Sequence, residues 1–372
     1  MIYRTLGRTG LKVSQLGFGA MRLPMTEVNG KQVVDRDLAI PMIHRAFELG
    51  VNYIDTAVGY CNEDSQRAVG EALKGWRDKI VVSTKNHYYG EDEKQWWTHL
   101  ENSLQRLDVD YIDIYNHHGI NWERYEHDVE PRISRWMLKA KEQGLIKHIC
   151  TSFHDSNEAL MKLVDTGYVE SITLQYNLLY RDLEEGIAYA KAHNVGVVVM
   201  GPVAGGRLAG PSDVLSGIIP GIERIPELAL RFVLSNPNVT VALSGMSTMQ
   251  MVEENAAVAS DEISLTPEER AAIEEHVERL TKMSDLYCTG CKYCQPCPQE
   301  VNIPYIFEMY NLGKIYGLWS VARENYANFP DQPWLGGKQA DACIECGACE
   351  EKCPQHIAIR EQLKAAHAAL SS

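Results

Sequence analysis

Ile80-Val-Val-Ser-Thr-Lys85 and Tyr111-Ile-Asp-Ile-Tyr-Asn-His117 are short β-rich runs, and Lys94–Leu107 between them has the spacing of an amphipathic helix. A strand, a helix and a strand in that order make a crossover unit, which sets its two strands parallel. Outward from this unit the pattern repeats. Leu16–Ala20, Val51–Asp55, Ile146–Ser152, Ser171–Tyr176, Gly196–Met200 and Val239–Ser244 read as further strands, with Leu38–Leu49, Ile133–Gln143, Glu184–His193 and Pro226–Ser235 as helices among them. Eight strands alternating with helices between Leu16 and Ala259 predict an α/β fold, a closed (β/α)8 TIM barrel. Their nearly unbroken apolar character suits parallel strands buried on both faces. An open doubly wound sheet is the rival, but the first strand–helix turn lacks the G-x-G-x-x-G dinucleotide fingerprint.

Ahead of the barrel, Ile2–Val13 with Gly7 and Gly10 reads as a hairpin placed to plug the barrel's bottom. Behind it, Thr266-Pro267 signals a helix N-terminus, with threonine as cap and proline at the first helical position, running to about Lys282. The expected organisation is a barrel over 1–265, a linking helix over 266–285 and a mostly α-helical cysteine domain over 286–372. Within that last domain Pro304–Phe329 and the alanine-rich Glu361–Ser372 look helical. The 372 residues carry a formal charge of −14, which argues against nucleic acid and acidic membrane surfaces as partners. No apolar run approaches the ~20 residues of a membrane helix, and Met1–Gly10 does not read as a signal peptide, so the expected location is the cytoplasm.

Eight of the ten cysteines fall into two tight groups. Two-residue gaps suit a metal or cluster better than a disulfide framework in a reducing compartment. The second group, Cys343-x2-Cys346-x2-Cys349-x3-Cys353-Pro354, has the spacing by which bacterial ferredoxins hold [4Fe–4S] cubes. Three thiolates come from one tight loop, with Gly347 and Ala348 allowing close backbone approach. The first group, Cys288-x2-Cys291-x2-Cys294-x2-Cys297-Pro298, is one residue shorter before its last cysteine. In two-cluster proteins the cysteine before proline reaches across to the other cube. By that analogy Cys288, Cys291, Cys294 and Cys353 hold one cluster, and Cys343, Cys346, Cys349 and Cys297 the other. Zinc is the alternative, though it more often takes two separated pairs of ligands than four close-spaced cysteines twice.

Residues able to do chemistry collect at the strand ends, where parallel barrels place their active sites. Asp55 closes the second strand and Tyr60 follows. Lys85 closes the third, and His117 and His118 the fourth. The motifs Asp55-Thr-Ala-Val-Gly-Tyr60 with Glu71 downstream, Ser83-Thr-Lys85, Asp110–Gly119 and Ser244-Gly-Met-Ser with Glu254-Asn255 jointly resemble the aldo-keto reductases. With its tail, the whole chain resembles the branch of that family carrying a ferredoxin-like iron–sulfur domain. The resemblance implies a catalytic tetrad of Asp55, Tyr60, Lys85 and His118 acting on an aldehyde or ketone with NAD(P)H. The residue types suit that reaction. A phenol titrating near ~10 is a poor acid at neutral pH, and an adjacent ammonium brings its proton within reach. A carboxylate keeps the lysine charged, and a histidine orients the substrate oxygen. Family register selects His118 over His117, and the polar Asn116–His117 stands where the family has an apolar pair, marking an altered substrate pocket.

The nucleotide contacts depart further. Where the family cradles the carboxamide with Ser-Asn and a glutamine, this chain has Ser152, Phe153 and Thr173, with His154 or Gln175 as substitutes. The remaining contacts implied are Ser244, Gly245, Ser247, Glu254 and Asn255, with the Gly205-Gly206-Arg207 loop approaching the pyrophosphate. Gly245–Val252 has no Lys or Arg, so NADH is expected to serve at least as well as NADPH. The partners expected are a small carbonyl substrate and, for the clusters, a redox protein. Nicotinamide delivers two electrons at once and clusters move one, so direct coupling needs a splitter such as flavin, and no flavin motif is legible. The second functional reading is therefore an electron-transfer module, in which the ferredoxin-like domain relays electrons and the barrel binds a flavin, a substrate or a partner. Trp96, Trp97 and the scattered methionines read as packing, and Cys61 as an ordinary thiol.

Overall fold

The computed structural model describes residues 1–262, 265–284, 288, 291–332, 335–354 and 356–372, with backbone alone over 281–284. They form two compact units, Met1–Ala204 with Leu230–Ser264, and Gly205–Ala229 with Leu265–Ser372. Where the sequence assigns all of 1–265 to the barrel, the compact grouping puts Gly205–Ala229 with the C-terminal unit. The boundary expected at 285/286 lies outside the described residues.

The first unit opens with β1 (Tyr3–Thr5) and β2 (Lys12–Ser14), paired antiparallel as the expected hairpin. In chain order there follow β3 (Leu16–Gly19), β4 (Met25–Val28), β5 (Lys31–Val34), β6 (Tyr53–Asp55), β7 (Val81–Asn86), β8 (Ile112–Ile120), β9 (Ile146–Phe153), β10 (Ser171–Gln175), β11 (Gly196–Met200) and β12 (Val241–Ser244). Eight of these close into a parallel barrel in the order β10-β11-β12-β3-β6-β7-β8-β9. Every strand read from the sequence is present within one to three residues at each end. β4 and β5 form a separate antiparallel hairpin whose turn, Asn29-Gly30, has φ of 52° and 75° at its two residues.

Leu6 and Val13 of the N-terminal hairpin join Tyr53, Ile114, Cys150, Val198, Val241 and Leu243 from the strands in one buried cluster. The hairpin thus plugs the end where the strands begin. Gly7 shows how tightly: with φ of 47°, a Cβ there would lie 2.2 Å from the backbone nitrogen of Gly196. On the outside, the helices Arg36–Glu48, Glu93–Leu107 and Asn157–Asp165 are capped by Asp35, Asp92 and Ser156, each accepting a backbone N–H of the first turn. Trp96 is fully buried against Tyr115 and Trp136, in keeping with a packing role.

In the second unit, Pro267–Ser284 is helical. Thr266 Oγ1 accepts from Glu269 N at 3.2 Å while Glu269 Oε2 accepts from Thr266 N at 2.8 Å, a reciprocal capping box. The expected Pro304–Phe329 helix is two helices, Ile303–Lys314 and Trp319–Asn328, broken where Gly317 takes φ of 68°. A last helix spans Ile359–Leu370. Among the described residues no helix is long and apolar enough to cross a membrane.

Candidate functional site

Asp55 ends β6 and lies opposite Ser83 in the β6–β7 ladder. Strand alternation then puts Ser83 and Lys85 on one face. Lys85 Nζ meets Asp55 Oδ1 at 2.5 Å and donates to the carbonyl of Thr56 at 3.0 Å. Ser83 Oγ donates to the other Asp55 oxygen at 2.8 Å, and Asn116 Nδ2 donates to Ser83 Oγ at 3.0 Å. Lys85 is 2% exposed and Asp55 4%. Burial works against the ammonium, but Asp55 and Tyr60 outweigh it, so the Lys85 pKa is raised above its ordinary value. Lysine is therefore the cation of this site at neutral pH.

Tyr60 sits in the turn after β6, its ring centroid 4.9 Å from Lys85 Nζ. The His118 ring meets it edge-on, 6.4 Å between centroids and 86° between planes. The structure thus brings Asp55, Tyr60, Lys85 and His118 together. A register slip in the β8–β9 pairing falls between His117 and Ile120, with Gly119 at φ of 75°. Such a slip re-aims side chains. Burial, reinforced by Lys85, His87 and His154, lowers the His118 pKa to about 4, so its ring is neutral.

His117 faces elsewhere. Its Nε2 lies 3.0 Å from the hydroxyl of Tyr168, and burial lowers its pKa to about 3. Asn116 also donates to the carbonyl of Thr84 at 3.1 Å. Both members of the polar pair are buried; His117 and the Asn116 Nδ2 are bonded internally, while the Asn116 Oδ1 is buried with no partner among the described residues. Ser83 went unread as the link between Asp55 and Asn116. Only its alternation with Lys85 in Val-Ser-Thr-Lys signals it.

Around this group lie the polar residues implied for a nicotinamide. Ser152 pairs with Thr173 across β9–β10, both side chains are buried, and Ser152 Oγ accepts from Gly119 N at 2.8 Å. Gln175 is two residues along the same face as Thr173, and its carboxamide makes no hydrogen bond among the described residues. At the end of β12, Asn255 Nδ2 donates to Ser244 Oγ at 3.1 Å, Gln250 Nε2 to Glu254 at 2.8 Å, and Ser247 and Gly245 are exposed. Hydroxyls and a carboxamide at the strand ends are a donor set that fits a nicotinamide amide. Gly205, Gly206 and Arg207 belong to the second unit, where Arg207 Nη1 pairs with Glu308 at 2.6 Å. Cys61 has a raised pKa, chiefly from burial, and its Sγ lies 3.4 Å from the carbonyl of Met21.

The cysteines of the second unit surround two cavities. Cys288, Cys291, Cys294 and Cys353 line one, with Ile303 and Phe307. Cys297, Cys343, Cys346 and Cys349 line the other, with Cys294 in the wall between. The residue after the second cysteine of each run has positive φ, 64° at Lys292 and 79° at Gly347, so the two loops turn alike. Glu345 N–H donates to Cys343 Sγ at 3.4 Å. Burial pushes the Cys294 thiol up to about 11, with Cys288, Cys349 and Cys291 adding to it, so neighbouring thiolates repel unless cations neutralise them. Among the described residues no three such side chains converge as ligands of a single ion. A cube does not require that, because each thiolate binds its own iron. The donor set fits iron–sulfur cubes.

Fold and site together define a parallel-barrel enzyme with an appended cysteine domain. The Aldo/keto reductase family model matches residues 15–215, and a 4Fe-4S dicluster domain model matches residues 287–358. The chain belongs to the aldo/keto reductase family of NAD(P)H-dependent oxidoreductases. L-galactose dehydrogenase of Arabidopsis thaliana is 31% identical over 316 residues, covering 76% of this chain and 98% of that protein. An aldo-keto reductase from Bacillus halodurans in its holo form superposes with a TM-score of 0.64 at 30% identity, covering 74% of this chain and 96% of that one. An aldo/keto reductase from Klebsiella pneumoniae in complex with NADP and acetate gives a TM-score of 0.59 at 26% identity, with 73% and 94% covered.

Proposed function

We propose that this protein reversibly reduces an aldehyde or ketone with NADH or NADPH, using Asp55, Tyr60, Lys85 and His118. The observation that supports this most is the buried Lys85–Asp55 pair set beside the Tyr60 ring. The nicotinamide, when bound, supplies a hydride to the carbonyl carbon. The oxygen then needs a proton, and the Tyr60 hydroxyl gives it. Asp55 holds Lys85 charged and in place, and the ammonium stabilises the phenolate left behind. His118 is neutral, so it orients the carbonyl oxygen by hydrogen bonding without adding charge. Ser152, with Gln175 or His154, binds the carboxamide, and Ser244, Gly245, Ser247, Glu254 and Asn255 bind the rest of the nucleotide.

NADP is the nucleotide of the Klebsiella pneumoniae neighbour. Here Gly245–Val252 lacks a basic residue, so NADH binds at least as well as NADPH. The two cysteine cavities support two [4Fe–4S] clusters, one on Cys288, Cys291, Cys294 and Cys353, the other on Cys297, Cys343, Cys346 and Cys349. When bound there, such clusters would be able to take up and release single electrons. Eight cysteines grouped as cluster ligands suit a reducing cytoplasm.

The test is an anaerobic carbonyl panel assayed with NADH and with NADPH. Turnover lost in Tyr60→Phe supports the reading, and a panel inert with both nucleotides refutes it. Exposure of Cys291 and Cys346 favours a second reading, in which the clusters exchange electrons with an external protein and the barrel is a binding scaffold. Cluster bleaching by a partner, with no carbonyl turnover, would establish it.

A further inference from the structure

The turn that carries Tyr60 departs from ordinary backbone. Cys61, Asn62 and Glu63, the three residues after the tyrosine, have φ of 51°, 53° and 66°. Left-handed backbone is normally left to glycine or to single residues, because Cβ crowds the following carbonyl. Nowhere else among the described residues do two adjacent non-glycine residues share it. Such conformations persist only where the surroundings hold them, and they gather at active sites.

Asp64 ends the turn at the N-terminus of the helix Ser65–Ala72, where an aspartate ordinarily caps its own helix. This one makes no such cap. Its carboxylate turns to Arg36 instead, taking Nη1 at 2.5 Å and Nη2 at 2.9 Å, one on each oxygen, and it also accepts Val34 N at 2.9 Å. Arg36 is steadied in turn by the carbonyl of Val34 and by Glu71, each at 3.0 Å. The two side chains are only 26% and 14% exposed, unlike a loose surface pair. Asn62 Nδ2 donates to the carbonyl of Gln32 at 3.4 Å, so the β4–β5 hairpin meets the turn twice. The turn then closes back on the tyrosine. Asp64 N donates to the carbonyl of Cys61 at 3.1 Å, and Ser65 N to that of Tyr60 at 3.2 Å.

We propose that the Arg36–Asp64 fork positions Tyr60 for proton transfer, by holding the left-handed turn that sets its ring beside Lys85. The inference rests on the reading of Tyr60 as proton donor above, and it gives the β4–β5 hairpin a task. A bidentate arginine–carboxylate pair fixes direction as well as distance, which a single contact does not. Proton transfer is sensitive to both, since a reacting group displaced by about 1 Å costs on the order of 100-fold in rate. Arg36 and Asp64 are positioning residues, and both act through the phenol.

The test is a double-mutant cycle on the anaerobic full-length protein, with the fastest-reduced member of the carbonyl panel as substrate. Asp64→Asn keeps the side chain's shape and breaks the ion pair. It is expected to lower kcat by about tenfold or more, with the nucleotide dissociation constant and the carbonyl KM within about twofold of wild type. Arg36→Gln should match it. Arg36→Lys, which keeps the charge and loses the fork, should fall between, and it carries the same comparison if Asp64→Asn does not fold. In a Tyr60→Phe background Asp64→Asn should cost nothing further, because the hydroxyl it positions is gone. A kcat within about twofold of wild type in Asp64→Asn and Arg36→Gln overturns the proposal while the Tyr60 reading stands. An equal loss in both backgrounds also overturns it, since the fork would then support the barrel at large. Tyr60→Phe at wild-type turnover, or a panel inert with both nucleotides, overturns the reading of Tyr60 and this proposal with it.

Discussion

Lys85 and Asp55 are both almost out of water, and a buried ion pair is poor evidence for stability, because desolvation offsets much of the attraction. Their placement beside Tyr60 gives the pair a chemical reason to exist. Tyr60→Phe removes one hydroxyl and little volume, so nucleotide binding should persist while carbonyl reduction falls at least ~100-fold. Comparable turnover in the variant on the same substrate would remove Tyr60 from the mechanism. The histidines predict a pH dependence. Unfolded histidine titrates near ~6.5, whereas His118 is lowered to about 4 and His117 to about 3. Below ~6.5 the unfolded chain binds protons that the folded one refuses, so stability is whole above that pH and falls as pH drops toward 4. Urea midpoints between pH 7 and 5 should fall in wild type and fall less steeply in His117→Phe. Equal slopes would show that His117 does not titrate this way. Asp55, Lys85 and the His117–His118 pair could be placed at strand ends because the apolar pattern fixes those ends, whereas their grouping with Tyr60 as a tetrad, and the choice of His118, came from the family resemblance. The partners of Asn116 and His117 were not legible, since Ser83 and Tyr168 come from separate parts of the chain.

At the scale of elements, the barrel strands are readable because a buried parallel strand is an unbroken apolar run bounded by polar turns. The β4–β5 hairpin has alternating, mostly exposed residues and gave no such run. Its one local signal is Asn29-Gly30, the pair that a two-residue hairpin turn with positive φ at both positions prefers. The split of Pro304–Phe329 into two helices was hidden for a related reason. Gly317 breaks the helix, and a lone glycine does not announce whether a helix bends or ends. The N-terminal plug meets the strands in one very close backbone approach, at Gly7. Gly7→Ala must both adopt positive φ and clear Gly196 N, where a Cβ would lie at 2.2 Å. The expected cost exceeds ~1 kcal/mol and falls on the whole barrel, because Leu6 and Val13 share its core cluster. Gly10, also at positive φ, has nothing within 4 Å of such a Cβ, so Gly10→Ala carries only the backbone strain. Urea midpoints of the two variants should rank Gly7→Ala well below Gly10→Ala, and the reverse order would mean the plug is not packed this way.

At the scale of the whole molecule, the chain joins a family barrel to a cysteine domain, and about a quarter of it lies beyond the match to its solved relatives, which covers 74%. The cysteine spacing made the second unit's chemistry legible, but spacing cannot say which thiol serves which cube. The folded arrangement supports one grouping, with Cys294 lining both cavities. Cys353 stands with Cys288, Cys291 and Cys294 around one cavity, some sixty residues away in sequence, and Cys297 stands with Cys343, Cys346 and Cys349 around the other. Anaerobically reconstituted protein should then hold roughly eight irons and eight sulfides. Cys353→Ser should perturb the cluster of the first run, and Cys297→Ser that of the second, read by paramagnetic resonance of the reduced proteins. Each cube would tie both ends of the unit together, with Ile303 in the wall of both cavities and Phe307 in one. Losing either cube should therefore speed amide exchange along Ile303–Lys314, a helix that contains no cysteine. About four irons in fully reconstituted wild type would rule out two cubes. A Cys353 variant that lost only the signal held by Cys343, Cys346 and Cys349 would show that each run keeps its own cluster, and the exchange at Ile303–Lys314 would then have to be explained by packing alone.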